Sequence, residues 1–270
     1  MQGSETLGLF LLAEPGRRPS LAAVKDFAME SQVVAVSHDP EARSSPLGKE
    51  ITLTSPDGEA GAKGMALSGH WVELLRDGMT FDLHGLAPGS ACAAPRPHHR
   101  FDWPAGQDVA GHEALHLGIG PHLAGAGRSL PVLRTMIALA RDLALFFEEI
   151  VGVIWQPSAS VIGRRFFEST ATAWLDGGPF PALGLTAFEV AEDDGALASK
   201  GLGFWIGQEL AIEPALAQDK VAATRLGVRL VNHLVRLGGL AGEEHIVAPD
   251  GARLVMRPSA DGRRIEVKRE

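Results

Sequence analysis

The chain has 270 residues, 45% hydrophobic and 21% charged, with a net charge of -8. That length buries one large core or two modest domains, and the acidic balance argues against nucleic acid as a partner, since phosphate binding needs clustered Lys and Arg. The single cysteine, Cys92, rules out an intrachain disulfide, and no segment approaches the roughly 20 apolar residues of a membrane span.

TLGLFLLAE (Thr6 to Glu14) is a short continuous apolar run, the pattern of a buried strand. Acids flank it, and it lacks the basic region and small-residue cleavage site of a signal peptide; with one thiol, the expected compartment is the cytoplasm. Ser20 is placed to cap a helix from Leu21 to about Ser31, with Leu21, Val24, Phe27 and Ala28 on one face. Strands are expected at Val33 to Ser37, at 49–56, at 63–74 and over MTFDLHGL (79–86), divided by Gly, Pro and Asp turns. Residues 89–111 are rich in Pro, Gly and Ala, and read as a linker or long crossing loop between units at 1–88 and 112–270.

The second unit opens with strand-like ALHLGIG and a glycine-rich loop. Ser129 then caps the strongest helix, Leu130 to Ile150, with Pro131 in its first turn. Strands are expected in VGVIWQPSASVIG, TATAWL, GLTAFEVA and LGFWIGQEL. A second long helix spans about Pro214 to Leu237 and stops at Gly238 and Gly239. The last residues form a hairpin or meander. The fold class is therefore α+β: two related strand-helix-strand units with mainly antiparallel sheets packed by two long helices, in the manner of an old duplication.

One short stretch carries the letters of a catalytic motif. GHEALHLGIGPH contains H-E-x-x-H at His112, Glu113 and His116, with His122 six residues on. On a helix the two histidines share a face and hold one Zn²⁺, while Glu113 serves as general base. The stretch resembles the extended zincin pattern over eleven residues, although Ile119 stands where that pattern has its turn glycine. Breakers surround it, however, and with period two His112, Ala114, His116 and Gly118 take one face of a strand. Extended, the two histidines lie about 13 Å apart, too far for one metal.

Other motifs are weaker. The loop around Arg128 and Ser129 leads into a helix N-terminus, as a phosphate site would, but matches neither G-x-G-x-x-G nor a P-loop. No G-x-S-x-G elbow occurs. Asp193 and Asp194 lack the spaced ligands of a calcium loop, and Cys92, His98 and His99 read as loop residues. Trp155 and Trp205 each sit in an apolar run beside polar groups: Gln156, Ser158 and Ser160 in one, Gln208 and Glu209 in the other. If neighbours, Trp155, Ser158, Trp205 and Gln208 line a small-ligand pocket.

The Leu130 helix, VGVIWQPSASVI, ATAWLDGGPFPALGLTAFEV and SKGLGFWIGQELAIEP together resemble an uncharacterised bacterial domain-of-unknown-function family. The resemblance implies no activity, cofactor or catalytic residue. The expectation is a non-enzymatic binding or interaction module for a small molecule or protein, without metal; the alternative is a zinc-dependent hydrolase using His112, Glu113 and His116.

Overall fold

The computed structural model describes residues 8–40, 70–192, 194–248 and 250–270. The strand expected at 49–56, the first part of that at 63–74, Thr6, Leu7 and Asp193 lie outside the described residues. Two sheets organise the rest. The larger has eight strands in the order β2-β3-β4-β6-β1-β7-β8-β5. These are β1 (Gly8–Ala13), β2 (Val34–His38), β3 (His70–Arg76), β4 (Met79–Leu86), β5 (His99–Phe101), β6 (Glu113–Ile119), β7 (Ile150–Trp155) and β8 (Ser160–Gly163). All its pairings are antiparallel except β5 with β8. The smaller sheet has the order β12-β13-β14-β11-β10-β9. Its strands are β9 (Ala187–Val190), β10 (Leu197–Lys200), β11 (Glu209–Ile212), β12 (Glu244–Val247), β13 (Arg253–Pro258) and β14 (Arg264–Arg269). Only β11 with β14 is parallel. The fold is α+β with mainly antiparallel sheets, as the pattern of apolar runs and turns implies.

Local chemistry accounts for the main elements. α1 (Leu21–Glu30) starts where the Ser20 hydroxyl accepts from the Ala23 N–H, and it buries Val24 and Phe27. α2 (Leu130–Phe146) has Pro131 in its first turn and buries Leu133, Met136, Ile137, Ala140, Leu143 and Ala144 against the large sheet. α7 (Lys220–Leu237) is capped by Asp219, which accepts from Val221 and Ala222. It ends at Gly238, whose φ of 77° is the left-handed turn that closes a helix. α7 covers the small sheet as α2 covers the large one.

Several expectations change. The division at 89–111 is not a division between sheets, because β6, from the second half, pairs with β4 and β1 of the first, and β7 pairs with β1. Residues 89–111 instead cross one face of the large sheet. Their Trp103 and Val109 pack on Phe10, Leu12, Ala114, Ile154 and Val161 as a second core. TATAWL is not a strand but the end of α3 (Arg164–Leu175), which buries Phe167, Ala171 and Trp174 at helical spacing. LGFWIGQEL divides between α5 (Leu202–Ile206) and β11; Gly201 and Gly207, at φ 90° and 80°, turn the chain at both ends of the helix. The long C-terminal helix is broken by Gln218 and Asp219 into α6 (Pro214–Ala217) and α7. Among the described residues no helix is long and apolar enough to cross a membrane.

The helix-covered face of the large sheet carries the stability. Met136 is fully buried, whereas Leu145, nine residues on in the same helix, is exposed. Met136→Ala is expected to cost about 2–5 kcal/mol in urea unfolding, and Leu145→Ala to stay within about 0.5 kcal/mol of the parent.

Candidate functional site

The H-E-x-x-H stretch is extended. Glu113 to Ile119 form β6, and His112 follows a 3-10 turn over Val109–Gly111. The helix that the zinc reading needs is not there, because β6 is held between β4 and β1 in the middle of the sheet. Glu113 is not free to act as a base either: its carboxylate accepts from Arg18 Nε at 2.9 Å and from the Gly16 N–H at 3.1 Å. Arg18 also donates to the carbonyls of Gly85 and Gly89. His112 uses both ring nitrogens, one toward the Asp108 carbonyl at 3.1 Å and the other toward the Gln107 amide at 3.0 Å. His116 lies buried on Phe10, with ring centroids 4.9 Å apart, and His122 sits exposed in a separate 3-10 segment. Among the described residues no group of three His, Cys, Asp or Glu is arranged to hold a metal ion. The Arg18–Glu113 pair is half-shielded, so Glu113→Gln is expected to cost about 1–3 kcal/mol of stability, between the exposed and buried cases. A thermal melt unchanged in that variant would show the pair to be idle.

The expected tryptophan site is a packed cluster. Trp155, at the end of β7, is fully buried, and Trp205 reaches it from α5 rather than from a neighbouring strand; the indoles stack at 5.6 Å. Phe204, Phe180 and Trp174 close around them. The Ser158 hydroxyl donates to the Gly184 carbonyl at 2.8 Å and lies 2.8 Å from the Ser160 hydroxyl. Gln208 is spent on the backbone of Leu240, donating to its carbonyl and accepting from its N–H. Both indole N–H groups are buried without an acceptor among the described residues, but Trp155 and Ser158 have no exposed surface through which a ligand could enter.

Glu209 holds this cluster in place. Its two oxygens accept from the N–H groups of Gly201, Leu202 and Gly203 and from the Ser199 hydroxyl. The carboxylate thereby closes the entry of α5, the helix that carries Trp205. An open groove of about 580 Å³ lies beyond it, lined by Ser259, Asp261, Arg263, Arg264 and Glu266. Asp261 there is already bonded to the Ser259 hydroxyl and the Arg263 N–H. Arg128 lies over the Phe204 ring, and Ser129 makes no side-chain cap to α2.

The remaining candidate is the other part of the large sheet's second face. Residues 89–111 cover that face over β1, β7 and β8; over β2, β3 and β4 it carries polar and aromatic side chains. Trp71 of β3 pairs with His84 of β4, and Glu73 pairs with Asp82, one step along the same face. The Trp71 and His84 rings stack at 5.4 Å with an interplanar angle of 20°. His38, at the end of β2, adds a ring 5.5 Å from Trp71, and His116 one 6.2 Å from His84. The Ser37 hydroxyl donates to Glu73 at 2.6 Å. Four neighbouring positions thus form a tile, with one edge aromatic and the other acidic. The strands supply it by simple alternation, since Val72, Leu74, Phe81 and Leu83 face the core between them.

Two groups of the tile have displaced titrations. Burial pushes the Asp82 carboxyl above its ordinary 3.8, and the Glu73 carboxylate adds to the push, against His122 and His38. Burial holds the His84 imidazole below its ordinary 6.5. Asp82 Oδ1 and His84 Nδ1 are shut off from solvent with no hydrogen-bond partner among the described residues. Trp71, Glu73, Asp82 and His84 match no catalytic or binding motif in the sequence. Their signal was present in HWVELLR and MTFDLHGL as polar residues at every second place, but only the pairing register brings the two acids and the two rings together.

No protein-family model matches the chain, and neither the curated proteins nor the solved structures give a match to it.

A pH titration checks the tile. His84, with its folded midpoint lowered, contributes stability that is present above pH 6.5 and is lost as pH falls through that midpoint. Asp82, with its midpoint raised, contributes in the opposite sense: present below pH 3.8, lost as pH rises through the folded value. Proton NMR of the imidazole C2–H is expected to place the His84 midpoint below 6.5. A His84→Asn variant should lose less stability than the parent as pH falls below 6.5. A His84 midpoint at or above 6.5 would contradict the burial seen here.

Proposed function

We propose that the chain is a non-enzymatic binding module whose ligand, a small molecule or a side chain of a partner protein, seats on the Trp71, Glu73, Asp82 and His84 face. One observation carries the reading: Asp82 Oδ1 and His84 Nδ1, two residues apart on one strand face, are both buried and both without a protein partner among the described residues. Most buried polar side-chain atoms in folded proteins are bonded, and exceptions mark places where something else supplies the partner. The displaced titrations of the same two residues support it, because such shifts gather at functional sites. The stacked rings of Trp71 and His84 add flat apolar area beside these polar atoms, the mixture that small-ligand sites use.

The resemblance of the region from Leu130 onward to an uncharacterised bacterial family belongs to this proposal and adds no chemistry to it. So does the cytoplasm, argued from one thiol in the chain, and so does the exclusion of nucleic acid, argued from a net charge of -8.

Crystals of the full chain soaked with a fragment panel test the reading. The panel holds amines, amides, carboxylates and neutral heterocycles. Fragments are expected on the tile, and the thermal stabilisation they give in solution is expected to disappear in Trp71→Ala. Fragments that gather elsewhere, with melting unaffected by Trp71→Ala, would overturn it.

A further inference from the structure

The charge balance of the tile narrows what it binds. Glu73 and Asp82 are directly paired across two antiparallel strands, an arrangement in which like charges destabilise each other. Three charged or titratable groups act on Asp82 among the described residues. Glu73 faces it from β3, His38 from β2 and His122 from the segment after β6. Gly118 stands opposite it on β6 and brings no side chain. The nearest arginine in sequence, Arg76, belongs to the helix-covered side, where it is paired with Asp142 of α2. Among the described residues, the hydrogen-bond partner of the Glu73 carboxylate is the neutral Ser37 hydroxyl. Among the described residues, the groups that oppose the charge of Asp82 are His38 and His122, with no Lys or Arg beside them.

The aromatic edge completes the pattern. Trp71 and His84 lie one pair along from the acids, at the spacing of two residues on a strand, about 7 Å. A carboxylate pair beside a flat ring surface complements a cation with a delocalised or alkylated head. The acids supply charge-assisted hydrogen bonds, bidentate where the head is planar, and the ring edge supplies cation–π and stacking contact. The overall charge of -8 favours the approach of such a ligand.

Resting on the binding reading above, we infer that the ligand of this face presents an organic cation, a guanidinium or alkylammonium group, to Glu73 and Asp82 with its flat or apolar part on Trp71 and His84. The cation removes the repulsion between the two acids. A metal ion fits less well, since no described group of three ligating side chains is arranged for one.

The test uses the full chain, labelled with nitrogen-15, and two probes of the same shape. N-acetylarginine amide carries the guanidinium; N-acetylcitrulline amide replaces it with a neutral urea. The Trp71 indole cross-peak, assigned by its loss in Trp71→Phe, is expected to shift saturably with the arginine probe. The citrulline probe should bind at least about tenfold more weakly, and Asp82→Asn and Glu73→Gln should each weaken the arginine probe by about tenfold. Well-dispersed spectra of both variants show that they fold. Equal binding of the two probes, or binding that ignores both variants, would overturn the cation while leaving the binding face intact. Magnesium or zinc alone shifting the same peak in a way that Asp82→Asn abolishes would overturn the organic ligand in favour of a metal. No response to either probe, where fragments do occupy the tile in crystals, would also overturn the cation; an unoccupied tile in both experiments removes the binding reading itself.

Discussion

The architecture depends on β1 being apolar on both sides. Leu9 and Leu11 point into the main core under α2, while Phe10 and Leu12 point the other way. A strand of this kind is stable only if its sheet is covered twice, because each exposed leucine or phenylalanine forgoes about 1.5–3 kcal/mol of burial. The helices α1, α2 and α3 make one cover. The chain between β4 and β6 has to make the other, and it does so with little regular structure, laying Trp103 and Val109 over the strands. Its Pro, Gly and Ala content suits a segment that must follow a sheet surface closely. Gly152 shows how closely: a Cβ there would lie 2.6 Å from the Trp103 ring.

The second cover is narrower than the sheet. It packs over β6, β1, β7 and β8 and meets β3 and β4 at their ends, at His70 and Gly85, leaving the middle of those strands to other side chains. Past its edge the same face changes from Phe10, Leu12 and Ile154 to Trp71, Glu73, Asp82 and His84. The large sheet thus has three environments: a helix-covered core, a segment-covered core and a half-buried polar tile between the second core and the edge. The tile owes its rigidity to the first two. Its side chains stand on strands whose alternate residues are fixed in the core, so rings and carboxylates are held at strand spacing without a loop. Arg18 ties the boundary together, since it joins Glu113 at the start of β6 to the carbonyls of Gly85 and Gly89.

Much of the fold could be read from the chain alone, and the reasons are local. Ser20 before an amphipathic run, Pro131 in a first turn and Gly238 after a leucine stripe are chemical stops and starts that no tertiary contact overrides. MTFDLHGL matches β4 residue for residue because its alternation is complete. The errors were tertiary. TATAWL has the β-branched and aromatic content of a strand, yet Phe167, Ala171 and Trp174 are spaced as a helix face and are buried against α2 and β7. LGFWIGQEL reads as one run, but Gly201 before it and Gly207 within it adopt left-handed turns, and Glu209 fastens the short helix between them. The stretch from His112 to His116, by contrast, alternates as a strand and is one, and a strand in mid-sheet places those residues by pleat, not by helical turn. The tile was invisible for another reason. Each strand showed its polar alternation, but which acid meets which ring is a matter of register, set by partners elsewhere in the chain.

If the tile is kept for binding, it should cost the free protein something. Asp82 is half-buried beside Glu73, and among the described residues no Lys or Arg acts on it, so burial and Glu73 both disfavour its charge, and removing that charge at constant shape should help. Chemical unfolding of Asp82→Asn at pH 7 without ligand is the most direct measurement of the central claim. The variant is expected to be more stable than the parent, by up to about 2 kcal/mol. A loss of stability in Asp82→Asn would contradict the account, because it would make Asp82 a structural anchor rather than a group held ready for a partner.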